Sequence, residues 1–341
     1  MRDELIRPLR GVVAAVVLAG LVVAPWTVDD YTAAILARTL ALGLVGVSVA
    51  LLTGVAGMPT LGQTAPYAAG AYACAVVGGS VSDVGVVQLA VAAAAGAALA
   101  ALTVPLVVSA RGVVVLMITL AIGELVVTVL GRWRSFTGGT DGLAGIAPVR
   151  PFWGLPVLAG DRARYVYTLV VVAVVVGALL LVLRTRVGLV LRAGRDDEAR
   201  LRASGHRVAG QLAGVHIAAG AIAGAAGSLL VVAQQYISPA DFSFDTSALL
   251  LLGVVIGGTA SVGGALVGAT LVIASRDWLF GILPGQAPLV LGALFVATVY
   301  LLPGGGRRRP RLRGRPQPGR PGPGPALRTG PDPAARTEVR T

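Results

Sequence analysis

The sequence is poor in charged side chains and in cysteine. Only 13% of its 341 residues are charged, whereas ordinary soluble domains carry about a quarter. The single cysteine, Cys74, excludes an internal disulfide bond and a metal site built from cysteines. The composition therefore excludes an ordinary soluble domain, and we interpret Cys74 as a small packing residue in an apolar stretch.

Motifs for catalysis are also missing from the sequence. We find no serine, histidine and aspartate arrangement, no metal-spaced cluster of histidine or cysteine, and no Walker-type phosphate loop. The sequence therefore predicts a protein that is not an enzyme. We expect it to bind no metal and no cofactor, and to lack the means to hydrolyse ATP by itself.

Apolar and small residues dominate instead. They include 47 glycines, 55% of the residues are hydrophobic and the mean hydropathy is +0.81. A membrane-spanning helix needs about 20 mostly apolar residues. Ten apolar stretches occur, at 11–28, 33–53, 64–82, 84–108, 112–131, 165–183, 209–233, 246–258, 264–281 and 286–302, of which 246–258 is short and ends in glycine. The sequence predicts an all-α polytopic membrane protein of about ten transmembrane helices, with residues 1–303 as its transmembrane domain.

The first apolar stretch, 11–28, resembles both a signal peptide and a first span. It is about as long as a span requires, and no clear small-residue cleavage site precedes a soluble mature domain. We therefore interpret it as a retained helix. A separate question is whether 246–281 is one span or two. One span would make the number of membrane crossings odd, and the two arginine-rich termini would then lie on opposite sides of the membrane.

Arginine supplies all 28 basic side chains, and most of them lie in three places. These are the N-terminus, the segment 184–207 with seven arginines, and the tail 304–341 with ten. Arginine beside spans is typical of the cytoplasmic side, so we expect both termini and segment 184–207 to be cytoplasmic. Loop 132–164 then lies outside, although it carries five arginines. The tail, rich in proline, glycine and arginine, is predicted to be disordered, and its role is either solvation or contact with anionic lipid; no feature favours nucleic acid.

Two glycine-interrupted segments, 53–72 and 253–269, stand out within the apolar stretches. Broken helices expose backbone groups that are tolerated beside a cavity or another helix. The alternative is close helix packing through small residues. Taken as a pair, one in each half, the segments favour a translocation path, for which the candidate residues are Gln63, Tyr67, Glu124, Gly257 and Gly258.

Two ionisable side chains are expected well inside spans, Glu124 and His216. An acid at this depth is costly and is a functional candidate, although structural pairing of Glu124 explains it equally well. We interpret His216 as a packing histidine. The shortage of such groups argues against an ion-coupled transporter, which would use several in a relay.

The polar segment 188–212 lies between two spans and has a helical composition. Acidic residues at 196–198 suit the start of a helix, and Gly205 can end one. The residues alone leave two interpretations open, a helix that docks a partner and a solvated connector.

Five strings occur in a recognisable order: TGVAGMPTLGQTAPYAAGAY, VLMITLAIGELV, FTGGTDGLAGI, GLVLRAGRDDEARLRASG and YISPADFSFDTSALLLLGVVIGGTASVGGALVGA. In this order they resemble the bacterial branched-chain amino acid permeases of ABC importers, of the LivM-like type. The resemblance spans about residues 33–302 and excludes the first predicted span and the tail.

The resemblance implies the permease subunit of an importer in the bacterial inner membrane, with ten spans in inverted halves. It implies a related second permease subunit, two cytoplasmic ATPases that hold ATP and magnesium, and an extracytoplasmic solute-binding protein. The ATPase-docking loop of such permeases maps here to Arg195, Asp196, Asp197, Glu198, Ala199 and Gly205.

This chain departs from the family pattern in its docking loop. It reads RDDE where the pattern has Arg-Glu-Asn-Glu, and Gln211 stands where a basic residue is usual. The resemblance implies leucine, isoleucine and valine as solutes. Urea, short amides or another small polar solute are the alternatives, since related permeases carry them with similar motifs. A sugar or nucleoside permease, an ion-coupled transporter and a membrane enzyme fit less well.

Overall fold

The computed structural model of this chain describes Gly20 and residues 29–80, 82–259, 261–282 and 292–293. Its helices are α1 (Asp30–Ala50), α2 (Thr64–Ser80), α3 (Gly85–Ser109), α4 (Val113–Arg132), α5 (Arg134–Thr137), α6 (Asp161–Arg184), α7 (Arg186–Asp196), α8 (Glu198–Ala203), α9 (Val208–Gln234), α10 (Phe244–Gly257) and α11 (Val262–Ile282). A π-helical turn, Leu51–Ala56, extends α1, and 3-10 turns occupy Gly139–Asp141 and Pro239–Phe242. Two short strands, β1 (Leu143–Ala144) and β2 (Tyr236–Ile237), pair antiparallel.

Eight predicted apolar stretches fall on described residues, and each corresponds to one helix. These helices are α1, α2, α3, α4, α6, α9, α10 and α11, and their ends lie within about four residues of the predicted ones. Among the described residues, five helices are long and apolar enough to cross a membrane: Asp30–Ala56, Gly85–Ser109, Val113–Arg132, Asp161–Arg184 and Val208–Gln234. The chain is therefore an all-α polytopic membrane protein.

Residues 246–281 form two helices, as the sequence predicted. Gly258 has a φ of 97° after α10, a backbone conformation that a side chain disfavours, and the chain turns there into α11. The predicted spans 11–28 and 286–302 lie outside the described residues, apart from 292–293, and so does the tail 304–341. The number of ten spans and the cytoplasmic termini therefore stay predictions.

Glycines let the central helices approach closely. A Cβ atom on Gly224 of α9 would lie 3.0 Å from the Cα of Gly96 on α3, and one on Gly227 would lie 2.5 Å from the backbone nitrogen of Ala71 on α2. Such distances leave no room for a methyl group. Small residues at helix contacts are the usual means of packing in membranes, so packing explains these glycines without a role in transport.

The bundle of described helices has two ends, and different connections between helices lie at each end. We call one the arginine-rich end; it holds the connections 110–112, 185–207 and 258–261. The other, the strand-paired end, holds loop 133–160 and the connection 235–243, which β1 and β2 join.

Arginines of the outer loop have structural partners at the strand-paired end. Arg150 forms a salt bridge of 2.9 Å with Asp83, and Arg164 reaches Asp161 at 2.9 Å and Gln235 at 3.0 Å. The Arg150 pair holds the loop to the connection between α2 and α3, and Arg164 joins the start of α6 to the end of α9. They explain part of the positive charge that loop 132–164 carries on the predicted outer side.

Candidate functional site

The docking segment, residues 195–205, lies at the arginine-rich end and is bent in the middle. Asp197 has an extended backbone with φ −157°, so α7 ends before it and α8 begins after it. Its carboxylate accepts a hydrogen bond of 3.0 Å from the backbone N–H of Arg200 and so caps α8. Gly205 follows α8 with a φ of 83°. The predicted docking helix is therefore two short helices joined at a capping aspartate.

Glu198 ties the docking segment to the neighbouring connection. Its Oε1 accepts hydrogen bonds from Arg111 at 3.1 Å and from Arg202 at 2.7 Å. Asp196 and Ala199 are exposed, and the Asp196 carboxylate makes no hydrogen bond or salt bridge within the described part of the chain. All the predicted docking residues except Glu198 are thus exposed and can offer a surface to another protein.

Arg195 is exposed as well, but its side chain also reaches a backbone group of the bundle. Its guanidinium donates a hydrogen bond to the backbone carbonyl of Gly54, in the π-helical turn that extends α1. Gly57 follows this turn with a φ of 76°. Because it has no side chain, Gly57 leaves room for Arg195: a Cβ atom on residue 57 would lie 3.0 Å from Arg195 Cγ. The docking segment is therefore in direct contact with the first glycine-interrupted segment.

The second glycine-interrupted segment meets the first at the same place. A Cβ atom on Gly54 would overlap the carbonyl of Thr259, in the connection between α10 and α11. Gly257 packs in the same way against the backbone of Gly264. Arg195, Gly54 and Thr259 thus place three separate parts of the chain in contact.

Polar side chains gather inside the bundle where α2 begins. We call them the α2-start cluster: Ser48, Gln63, Thr64, Thr119 and Ser247. Gln63 Oε1 lies 3.3 Å from Ser48 Oγ, Thr64 Oγ1 lies 2.8 Å from Ser247 Oγ, and Thr119 Oγ1 accepts a 3.2 Å hydrogen bond from the N–H of Leu61. All five side chains are buried. The cluster provides hydroxyl and amide groups in an otherwise apolar interior.

The predicted path residues fall in three different places. Gln63 belongs to the α2-start cluster, and Tyr67 is fully buried beside Phe242, with ring centroids 5.0 Å apart. Gly257 and Gly258 lie at the arginine-rich end. Glu124 lies on the outer side of α4 and is exposed, while the adjacent Gly123 faces Thr64. The structure does not bring these five residues together.

His216 has one partner and lines a narrow cavity. Its Nε2 lies 3.0 Å from Thr103 Oγ1, and its Nδ1 is buried without a hydrogen-bond partner in the described part of the chain. The cavity, of about 10 Å³, has room for about one water molecule and borders Gln63 and Thr119. His216 is therefore buried among packed helices, and only one of its two ring nitrogens has a hydrogen-bond partner among the described residues.

One polar cluster was missed by the sequence analysis. Arg38 of α1 lies 3.6 Å from Asp241 and 3.7 Å from Asp277 of α11, next to Tyr67, whose hydroxyl is buried without a partner among the described residues. The search for acids and histidines well inside spans had named only Glu124 and His216, and it passed over this cluster because Arg38 and Asp277 lie nearer to the ends of their predicted spans. Arg38 lies in predicted span 33–53 and Asp277 in 264–281, and opposite charges in two spans are the signal that could have revealed the pair.

This arrangement of apolar helices, broken segments and an attached polar segment defines a membrane transport subunit. The family described as "Branched-chain amino acid transport system / permease component" matches residues 31–299. The chain belongs to this family. The matched range confirms the resemblance seen in the sequence and, like it, leaves out 11–28 and the tail.

Three relatives carry names from the same transport system. LivM of Escherichia coli K12, a high-affinity branched-chain amino acid transport permease, is 30% identical over 332 residues, which covers 88% of this chain and 76% of the relative. LivM of Salmonella typhimurium LT2 is 27% identical, covering 85% and 73%. The probable permease LivH of Methanocaldococcus jannaschii is 27% identical, covering 59% and 66%. No solved structure matches this chain.

Proposed function

We propose that this chain is the permease subunit of an ATP-driven importer for branched-chain amino acids. The observation that carries the proposal is the contact between Arg195 of the docking segment and Gly54 of the first glycine-interrupted segment. It links the polar segment available to a cytoplasmic partner with the part of the bundle able to change shape. Family membership and the names of the LivM relatives support the choice of solute.

The mechanism is alternating access driven from the arginine-rich end. Partner ATPases bind ATP and magnesium and push on the exposed Asp196 and Ala199. Arg195 carries the displacement to Gly54, and the packing of Gly54 on Thr259 carries it to α10 and α11. ATP can shift the equilibrium between the two access states of the complex only by the difference between its binding free energies for these two states. No covalent chemistry takes place in this chain.

The α2-start cluster is the interior part of the proposed route. Gln63, Thr64 and Ser247 supply hydrogen-bonding groups, and the chain before α2 is non-helical at 57–63. Non-helical backbone at membrane depth is tolerated where it lines a cavity or is buried in protein. The start of α2 adds a partial positive charge that favours a carboxylate.

The proposed assembly follows from the family. It contains a related second permease, two cytoplasmic ATPases and an extracytoplasmic solute-binding protein, in the bacterial inner membrane with the arginine-rich end inside. The positive charge of segment 184–207 supports this orientation.

The test is uptake of labelled leucine, isoleucine, valine and urea into vesicles at a fixed ion gradient. Vesicles contain the chain alone or with its candidate ATPases, sister permease and binding protein. We expect saturable uptake of the three amino acids that needs ATP and all partners. Uptake of urea alone would establish the amide alternative.

An ion-coupled transporter is the second candidate, and the Arg38, Asp241 and Asp277 cluster is the observation that favours it. Paired ionisable groups inside spans are common on ion pathways. This candidate requires uptake by the chain alone that collapses with an ionophore. That result would overturn the importer proposal.

A further inference from the structure

A groove lies at the arginine-rich end of the bundle, where α6 passes into α7. We call it the α6–α7 groove. It has a volume of about 400 Å³ and is lined by the end of α6, the start of α7, the first half of α9 and the π-helical turn that extends α1. Among its lining residues only Arg186 and Gln211 are polar, and the others are aliphatic or glycine. The groove therefore suits an apolar ligand that carries a polar group at one end.

The α6–α7 groove opens beside the face of α6 that contacts lipid. The exposed residues of α6 between its terminal arginines are all apolar, which is the pattern of a lipid-facing helix. Val182 of α6 and Val187 of α7 both line the groove, and they are 50% and 53% exposed. The groove thus continues the lipid-facing surface of α6 into the bundle.

The apolar part of the groove lies below the arginines, at membrane depth. Leu179 lines it and precedes Arg184 by five residues, about 8 Å along α6 at 1.5 Å per residue. On α7, Leu189 is 72% exposed between the exposed Arg186 and Arg192, a combination that suits the boundary between lipid and water. A phospholipid has the same order, with its phosphate at this boundary and its acyl chains beneath.

Positive charge at the mouth of the groove is unpaired. The guanidinium groups of Arg184 and Arg186 make no hydrogen bond or salt bridge within the described part of the chain. In the sequence, the acid nearest to Arg186 is Asp196, ten residues and about 15 Å further along α7. A phosphate group can therefore pair with these arginines, and the planar guanidinium of arginine binds phosphate through two parallel hydrogen bonds.

We propose that the α6–α7 groove binds an acyl chain of an anionic phospholipid, whose phosphate pairs with Arg186. The lipid belongs to the leaflet next to the arginine-rich end. This inference goes beyond the proposed function, because it depends neither on the solute nor on ATP.

Charge and depth favour lipid over the other occupants. The apolar stretches 11–28 and 286–302 of this chain have arginines at their predicted cytoplasmic ends, at positions 7, 10 and 307–309, and like charges brought together at the groove would repel. A cytoplasmic ATPase would have to pass an apolar side chain beyond the level of the arginines into the membrane. An anionic phospholipid meets both conditions, since it supplies the opposite charge and already lies at this depth.

The test is photolabelling of the full chain in phosphatidylcholine vesicles. Two probes carry the same photoreactive acyl chain, one on phosphatidylglycerol, which is anionic, and one on phosphatidylcholine, which has no net charge. Mass spectrometry locates the adducts. We expect roughly fivefold more label on residues 179–191 and 214–218 from the anionic probe, as one arginine near a membrane surface provides. Val170, on the lipid-facing side of α6, should take equal label from both probes.

Two pairs of variants separate charge from shape. Arg186→Gln should remove most of the preference for the anionic probe, whereas Arg192→Gln, outside the groove lining, should keep it. Gly214 lines the groove, and nothing lies within 4 Å of a Cβ atom there. Gly214→Leu should therefore fill the groove and lower its labelling by both probes several-fold. Gly210→Leu, which also has open space but lies outside the lining, should not.

Three results would overturn the inference. The first is equal labelling of the groove by the two probes in the unchanged protein. The second is label on Val170 with none in the groove. The third is attachment of a benzophenone at position 187 to residues 11–28 or 286–302, or to another protein, with no attachment to phospholipid. The first two results need no variant, so the test stands even if a variant fails to fold, and none of the three bears on the uptake assay of the proposed function.

Discussion

At the scale of single residues, neighbours in the docking segment do different things. Arg195 binds the Gly54 carbonyl, Asp197 caps α8, Glu198 bridges Arg111 and Arg202, and Asp196 is exposed. From the sequence alone, residues 195–198 are all assigned to ATPase docking, because they lie together in one polar stretch. Their directions differ because α7 ends and α8 begins between them.

Replacing Arg195 tests the link between docking and transport. A hydrogen bond from a charged group contributes about 1.5–3 kcal/mol, so Arg195→Ala should lower uptake roughly tenfold or more. Association with the ATPases should persist, because the exposed Asp196 and Ala199 stay unchanged. The measurement is uptake per ATP hydrolysed, together with ATPase co-purification.

Two matched variants complete this experiment. Arg192→Ala removes an exposed arginine one turn earlier and should leave uptake unchanged. Asp196→Arg should abolish ATPase co-purification, whereas Asp245→Arg, an exposed acid at the other end, should not. Normal uptake by Arg195→Ala would remove this side chain from the coupling path.

At the scale of elements, the glycines of the central helices divide into two groups. Gly224 of α9 is in contact with α3, whereas nothing lies within 4 Å of a Cβ on Gly210 of the same helix. Both occur in one glycine-rich, apolar stretch, and the sequence does not distinguish them. The difference arises because α9 is close to α3 over only part of its length: Gly220 and Gly224 meet Gly96 of α3, whereas Gly210 lies near the start of α9.

Gly224→Ala should destabilise the protein, since its methyl group would overlap the backbone of α3. Overpacking of this kind costs about 1–3 kcal/mol. Gly210→Ala has open space and should stabilise α9 by up to about 1 kcal/mol through helix propensity. Thermal unfolding in detergent measures both, and equal melting temperatures would contradict the packing seen between α3 and α9.

At the scale of the whole molecule, the two ends of the bundle should face opposite sides of the membrane. The lone native cysteine, Cys74, is buried, so an added cysteine can be labelled selectively. We expect an impermeant reagent to label Ala199→Cys only from the cytoplasmic side and Ala147→Cys only from the outer side. Both positions are exposed, and labelling of both from one side would overturn the predicted orientation.

The sequence by itself determined the class of protein and most of its helices. Hydropathy and length place eight helices within a few residues of their ends, because a helix that crosses the membrane must be apolar over about 20 residues whatever its neighbours are, and the shorter α10 is bounded by polar residues and glycine. The ordered strings also identify the family correctly. The turn at Gly258 between α10 and α11 follows from local backbone preference as well.

Only the tertiary structure decided which side chains meet. Arg195 and Gly54 are 141 positions apart, and Arg38 joins Asp241 and Asp277 across three parts of the chain. Hydropathy treats every side of a membrane helix alike, so it assigns neither Glu124 to the outer face of α4 nor Thr119 to the inner face. The direction of a side chain depends on how helices rotate and pack against one another, and close contacts between small residues fix that rotation.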